Sequence, residues 1–198
     1  MIYPADWNIT ILQNSSWRGV FRATSAAKTV TSMAVSAGVP TFTADCHGLL
    51  SGDRVVFTSP TGTPCGLAVN TVYYVISGGL TASQFRVSAT SGGSALTLTD
   101  TVEGVYPVAF TVAKPINLTG YVLDSDIRDL GTLAQVATFS ISLVSAVDGS
   151  FEMSLSPATT NGLATGTYGY DLYMTSPGGE RYYYLRGSAT VERTLSRA

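Results

Sequence analysis

From residue 114 to residue 197 the chain alternates apolar and polar side chains with a period of two, and turn residues break the alternation at short intervals. That period sends one set of side chains to a core and the other to water, which specifies strands and leaves no room for a helical bundle. Tyr121, Leu123, Ser125 and Ile127 share one face of the first such strand, with Asp124, Asp126 and Arg128 on the other. Residues 139–143 and 151–155 repeat the pattern around Asp148-Gly149, and an Asp-Gly pair supplies the positive φ of a tight hairpin. Ser156, Pro157 and Gly162 read as a cap, a first-turn proline and a terminator, which predicts a short helical turn. Residues 166–173 and 181–191 predict a second hairpin across Pro177-Gly178-Gly179.

Earlier parts of the chain are also strand-like. Residues 7–11 and 17–23 read as the first two strands, joined by the polar turn Gln13-Asn14-Ser15-Ser16. Further strands are predicted around residues 41–43, 54–57, 70–76, 85–88 and 96–98. A Pro/Gly loop at 59–66 and the glycines Gly52, Gly78, Gly79, Gly92, Gly93 and Gly104 punctuate them.

Two resemblances follow. The order Leu118-Thr119-Gly120-Tyr121 through Arg128, Asp148-Gly149 through Leu155, Gly166 through Leu172 and Gly187 through Val191 resembles the small immunoglobulin-like β-sandwiches of bacteriophage tail, baseplate and neck proteins. The string His47-Gly48-Leu49, Ser51 through Phe57, Asn70 through Ile76 and Phe85 through Gly93 resembles a small β-barrel module inserted in phage tail-fibre proteins. In the immunoglobulin-like family the first strands run straight into the Leu-Thr-Gly-Tyr segment. Here about eighty residues intervene, too many for a structureless loop in a compact domain. The expected architecture is therefore all-β: an immunoglobulin-like β-sandwich of residues 1–24 and 105–198, with a small β-barrel domain of residues 25–104 inserted at a loop tip, where insertions are tolerated.

The resemblance implies a building block of a tailed-phage virion, in the tail, baseplate or neck, assembled in the host bacterial cytoplasm. Its partners would be other virion proteins in a symmetric homo- or hetero-oligomer. It brings no catalytic residue, cofactor or metal to carry over. Two alternatives stay open: a tail-fibre component binding a receptor or host-surface glycan, and a capsid decoration (cement) protein, since one fold serves many roles.

Charge narrows the partners. Lysine and arginine together number 11, aspartate and glutamate 13, and the net charge is −2. Lys28 and Lys114 are the only lysines and the arginines are scattered, so the clustered cations of a nucleic-acid footprint are missing. No apolar run has the length of a membrane span, and the first residues lack the basic and apolar regions of a signal peptide. Cys46 and Cys65 are too few for a disulfide framework. In a reducing cytoplasm two buried free thiols are expected, one bridge across the intervening loop being the alternative.

Catalysis finds few candidates. His47 is the sole histidine and must serve any Ser-His-Asp or Cys-His mechanism. It precedes Gly48 at a turn, where an imidazole bonds the local backbone, and Cys46 beside it points to the opposite face. Zinc would require Asp45, Cys46, His47 and Cys65 to converge without any paired ligand spacing. Asp124 and Asp126 sit on one strand face rather than across a cleft, and Arg128 completes a solvated row. The chain is read as a non-enzyme. Its candidate site is a protein interface on the last hairpin, formed by Tyr173, Arg181, Tyr182, Tyr184 and Arg186, with Tyr182 and Tyr184 facing away from the core.

Overall fold

The alternating segments become fifteen strands and one short helix among the described residues, which in this computed structural model are 5–58, 67–99 and 104–194. In chain order these are β1 (Ala5–Asp6), β2 (Ile9–Leu12), β3 (Trp17–Arg22), β4 (Lys28–Ser36), β5 (Val39–Thr43), β6 (Arg54–Thr58), β7 (Val72–Ile76) and β8 (Gln84–Ser88). They continue with β9 (Gly104–Ala113), β10 (Val122–Arg128), β11 (Gln135–Thr138), β12 (Ser140–Ser145), β13 (Ser150–Leu155), α1 (Pro157–Gly162), β14 (Gly166–Thr175) and β15 (Arg181–Glu192). The protein is all-β. The Pro/Gly loop at 59–66, with Cys65, lies outside the described residues.

The chain divides into two units, Met1–Ala23 with Asn117–Ala198, and Thr24–Ile116. The second is a closed barrel in the order β4-β5-β8-β7-β6-β9, β9 returning to pair with β4. Closure removes the open edges that would otherwise recruit other strands. Inside, Phe42 sits 4.9 Å from Phe57 and 5.4 Å from Phe85, ring centre to ring centre, and Phe110 lies 5.5 Å from Phe57. Val30, Met33, Val55, Tyr73, Val75, Val87 and Val112 complete that core. The alternating burial of β5 and β7 is what a barrel with a filled interior requires.

The barrel reaches further than residue 104. Register pairs from Lys28↔Val112 to Val35↔Gly104, and Val56↔Ala113 on the other side, make β9 its closing strand, so the unit runs to Ile116. Neither β4 nor β9 is conspicuous in sequence. In β4 the pairing shifts between Val30 and Ser32, which places buried residues at 30, 33 and 35 and breaks the period of two. In β9, Pro107 argues against an interior strand, yet it lies at that register shift, away from the 111–113 stretch that pairs with β6. The predicted strand at 96–98 is instead an extended tether, Leu96 N donating to Val87 O at 2.7 Å and Leu98 N to Gly38 O at 2.9 Å.

The first unit holds two sheets. One runs β1-β15-β14-β10-β11, with β2 also pairing along β15; the other is β12-β13-β3. The first two long strands do not form a hairpin with each other. β2 joins the larger sheet in parallel with β15, whereas β3 pairs antiparallel with β13, and the turn at 13–16 carries the chain from one sheet to the other. Each sheet has a buried face: Ile127, Tyr170, Leu172, Met174, Leu185 and Val191 on the larger, Phe151, Met153 and Leu155 on the smaller. Phe139 meets Tyr170 at 5.7 Å and Trp17 at 5.4 Å. The Asp148-Gly149 turn forms as its sequence predicts, Gly149 taking φ 66° between β12 and β13. Helix α1 is likewise capped by Ser156, whose hydroxyl accepts from Thr159 N at 3.1 Å.

Candidate functional site

β14 and β15 are the longest hairpin of the first unit, and their outer face carries the densest set of aromatic and charged groups in the predicted site. Regular alternation would place Tyr182 and Tyr184 outward. A register shift intervenes: Leu172 pairs with Leu185, but Tyr173 pairs with Tyr183, leaving Tyr184 as the extra residue of a bulge. Tyr183 therefore stands beside Tyr173, and Tyr182 opposite buried Met174.

The resulting cluster is tight. The rings of Tyr173 and Tyr183 lie 4.3 Å apart with their hydroxyls at 2.9 Å, and Tyr173 Oη also reaches Asp171 Oδ2 at 3.2 Å. A carboxylate can only accept, so Tyr173 donates to Asp171 and receives the Tyr183 proton. The Arg181 guanidinium sits 4.0 Å over the Tyr173 ring, a cation–π contact. The Tyr183 hydroxyl first, then burial, then the Asp171 carboxylate push the Tyr173 phenol well above its ordinary range. Asp171 Oδ1 is buried without a hydrogen-bond partner.

The five predicted residues separate accordingly. Tyr173 and Arg181 come together. Tyr182 is partly exposed and donates to Glu180, whose carboxylate raises its phenol pKa. Arg186 is exposed and stands across from Asp171. Tyr184 does not face away from the core: it is half-buried, and its hydroxyl donates to Arg22 O in β3 at 3.1 Å. Tyr183, 55% exposed, is the aromatic that sequence reasoning passed over. Only knowledge of the bulge would have found it, because strict alternation assigns it to the core.

A glycine inside a strand admits a close backbone approach, and Gly187 in β15 is such a position. The approach comes from this chain: Trp7 N donates to Arg186 O at 2.9 Å, Trp7 O accepts from Tyr170 Oη at 2.5 Å, and a Cβ on Gly187 would collide with that carbonyl. With β1 and β2 paired along it from Leu185 onward, β15 is no free edge there.

The remaining candidates stay apart. His47 is buried, and its Nδ1 accepts from Leu49 N at 2.9 Å, as the turn predicts. Cys46 is a free thiol at φ 49°, exposed rather than buried. Among the described residues no three His, Cys, Asp or Glu side chains gather as metal ligands, and Cys65 lies outside that set. Asp126 is held by Arg128 at 3.0 Å and by Thr138 Oγ1 at 3.0 Å on a solvated face. No helix among the described residues is long and apolar enough to cross a membrane. No protein-family model matches the chain, and no curated protein matches it.

Proposed function

We propose that this protein is a non-enzymatic structural component of a tailed-bacteriophage virion, in the tail, baseplate or neck, and that its first unit is an immunoglobulin-like β-sandwich. The reading rests on the order of strand and turn motifs from Leu118 to Val191, and on one structural observation. The outer face of β14–β15 presents Tyr183, Tyr173 and Arg181 as an interlocked aromatic and cationic patch, the residue types that dominate protein interfaces. Among the described residues β11 and β12 each end a sheet, and with Leu143 and Val144 exposed on β12 they offer a second surface to virion neighbours. The test is assembly. A Tyr173→Ala/Tyr183→Ala protein that melts within a few degrees of the parent should fail to enter particles; normal incorporation would remove the patch from the interface.

A second reading is favoured by Asp171. Its carboxylate accepts from Tyr173 Oη at 3.2 Å beside the exposed Tyr183 ring, and a carboxylate next to an aromatic face is how sugar hydroxyls and sugar faces are held together. In that case the protein is a tail-fibre component touching a host glycan. Saturable binding on a glycan array, lost in the same double variant, would favour it over the scaffold role. A capsid decoration protein would use the same faces and is separated by the protein's position in a purified virion.

A further inference from the structure

The chain has two lysines and one histidine, and all three line one cavity in the barrel unit. The cavity has a volume of about 190 Å³ and lies where β4 begins, where β9 ends and where the 44–53 loop folds back. Cys46 at φ 49° and Gly48 at φ 64° bracket His47, whose ring packs edge-on against Phe85 with ring centres 5.2 Å apart while the residue lines the cavity. Because His47 Nδ1 accepts from Leu49 N, the ring proton belongs to Nε2. That Nε2–H is buried and has no partner, in a residue only 6% exposed. A buried donor without an acceptor carries a standing cost that an incoming oxygen removes.

Charge specifies the oxygen's owner. Lys114 Nζ lies 2.8 Å from Asp53 Oδ2, which also accepts from Leu50 N at 2.7 Å. Asp53 thus neutralises one ammonium group and the second, on Lys28, leaves a single net positive charge at the cavity. A monoanion matches that balance; a phosphate dianion does not. Leu49, Val112 and Ala113 supply an apolar wall. We propose that this cavity binds a small aliphatic carboxylate, its head between Lys28, Lys114 and the His47 Nε2–H and its carbon chain against that wall. The Nε2–H is covered in this structure, so binding includes a small tilt of the imidazole about its Nδ1 hydrogen bond. The inference stands on the barrel alone and is independent of the virion reading.

The test is an NMR titration of the full chain with sodium acetate and sodium butyrate against sodium chloride at equal ionic strength. Saturable shifts at the amides of Leu49, Val112 and Ala113, with the His47 Nε2 resonance moving in parallel, are expected in the millimolar range. Butyrate should bind more tightly than acetate. Lys28→Gln, an exposed substitution that leaves the Lys114–Asp53 pair intact, should weaken binding about tenfold through loss of a charge-assisted hydrogen bond. Shifts that chloride reproduces, unchanged affinity in Lys28→Gln, or a silent His47 Nε2 would overturn the proposal. Inorganic phosphate binding as tightly as butyrate would overturn the choice of ligand.

Discussion

Gly187 and Tyr170 form one device. The Trp7 peptide passes so close over β15 that its carbonyl occupies the space a side chain at 187 would need, and Tyr170 Oη holds that carbonyl from below. Gly187→Ala should therefore destabilise the first unit by about 3 kcal/mol, the cost of forcing an atom into a packed site. A chemical-denaturation midpoint unchanged from the parent would refute the close approach. Tyr170 adds a pH dependence. Burial pushes its phenol from 10.0 up to about 12. The folded state keeps the proton longer than the unfolded chain, so this contribution is intact below pH 10 and is lost as pH rises from 10 towards 12. Tyr170→Phe should melt lower at neutral pH, by the loss of one hydrogen bond, yet show a shallower alkaline decline. Parallel pH–melting curves for the two proteins would show that Tyr170 does not carry the effect.

At the scale of single elements, what was legible depended on whether an element keeps its period. β13 and β14 keep their alternation beside the Asp-Gly and Pro-Gly-Gly turns, and β10 and β12 shift register only towards their ends, at Ile127/Arg128 and Leu143/Ser145, so all four are where the pattern puts them. β4 contains a register shift and the pattern marked no strand there, β15 contains one and the facing of its tyrosines was misassigned, and β9 has a proline and was given to the other unit. A bulge costs one residue of phase and moves every side chain beyond it to the opposite face. The candidate site inherited that error: Tyr173 and Arg181 were readable, whereas Tyr183 and Tyr184 exchanged roles. Partner choice was also invisible, since β2 and β3 look alike in sequence but enter different sheets. The bulge has a measurable consequence. Tyr184→Phe removes the hydrogen bond to Arg22 O and should cost about 1 kcal/mol. Tyr183→Phe, which keeps the ring against Tyr173 and loses only a solvent-exposed hydroxyl contact, should change stability by less than about 0.5 kcal/mol. The opposite order in paired denaturation curves would restore the regular register.

The whole molecule is a chain that leaves one unit, completes another and returns, and the backbone shows how little the detour asks of either. In the first unit, Ala23 N donates to Gly149 O and Leu118 N to Ala146 O, both at 2.8 Å, so the departing and returning segments are anchored on the same short turn. In the barrel unit, Thr24 bridges to Pro115, and Ser25 N donates to Lys114 O at 2.8 Å, which clamps the two ends of that unit together. Each unit has its own buried core. Because the ends to be joined are held on one turn, replacing Thr24–Ile116 by a short Gly/Ser linker closes a small loop, and loop-closure entropy changes little with length. The shortened protein should keep a strand-type circular-dichroism spectrum and melt cooperatively, with the Phe151 and Met153 core intact. The excised barrel, ending in its own clamp, should do the same. Ser25→Pro in that barrel removes the donor to Lys114 O and should lower its melting temperature while leaving the linker-closed first unit, which lacks residue 25, as the unaffected reference. Aggregation of the linker-closed protein under conditions where the full chain stays monomeric would mean that the barrel supplies stability to its neighbour, and the two units would then have to be treated as one cooperative body.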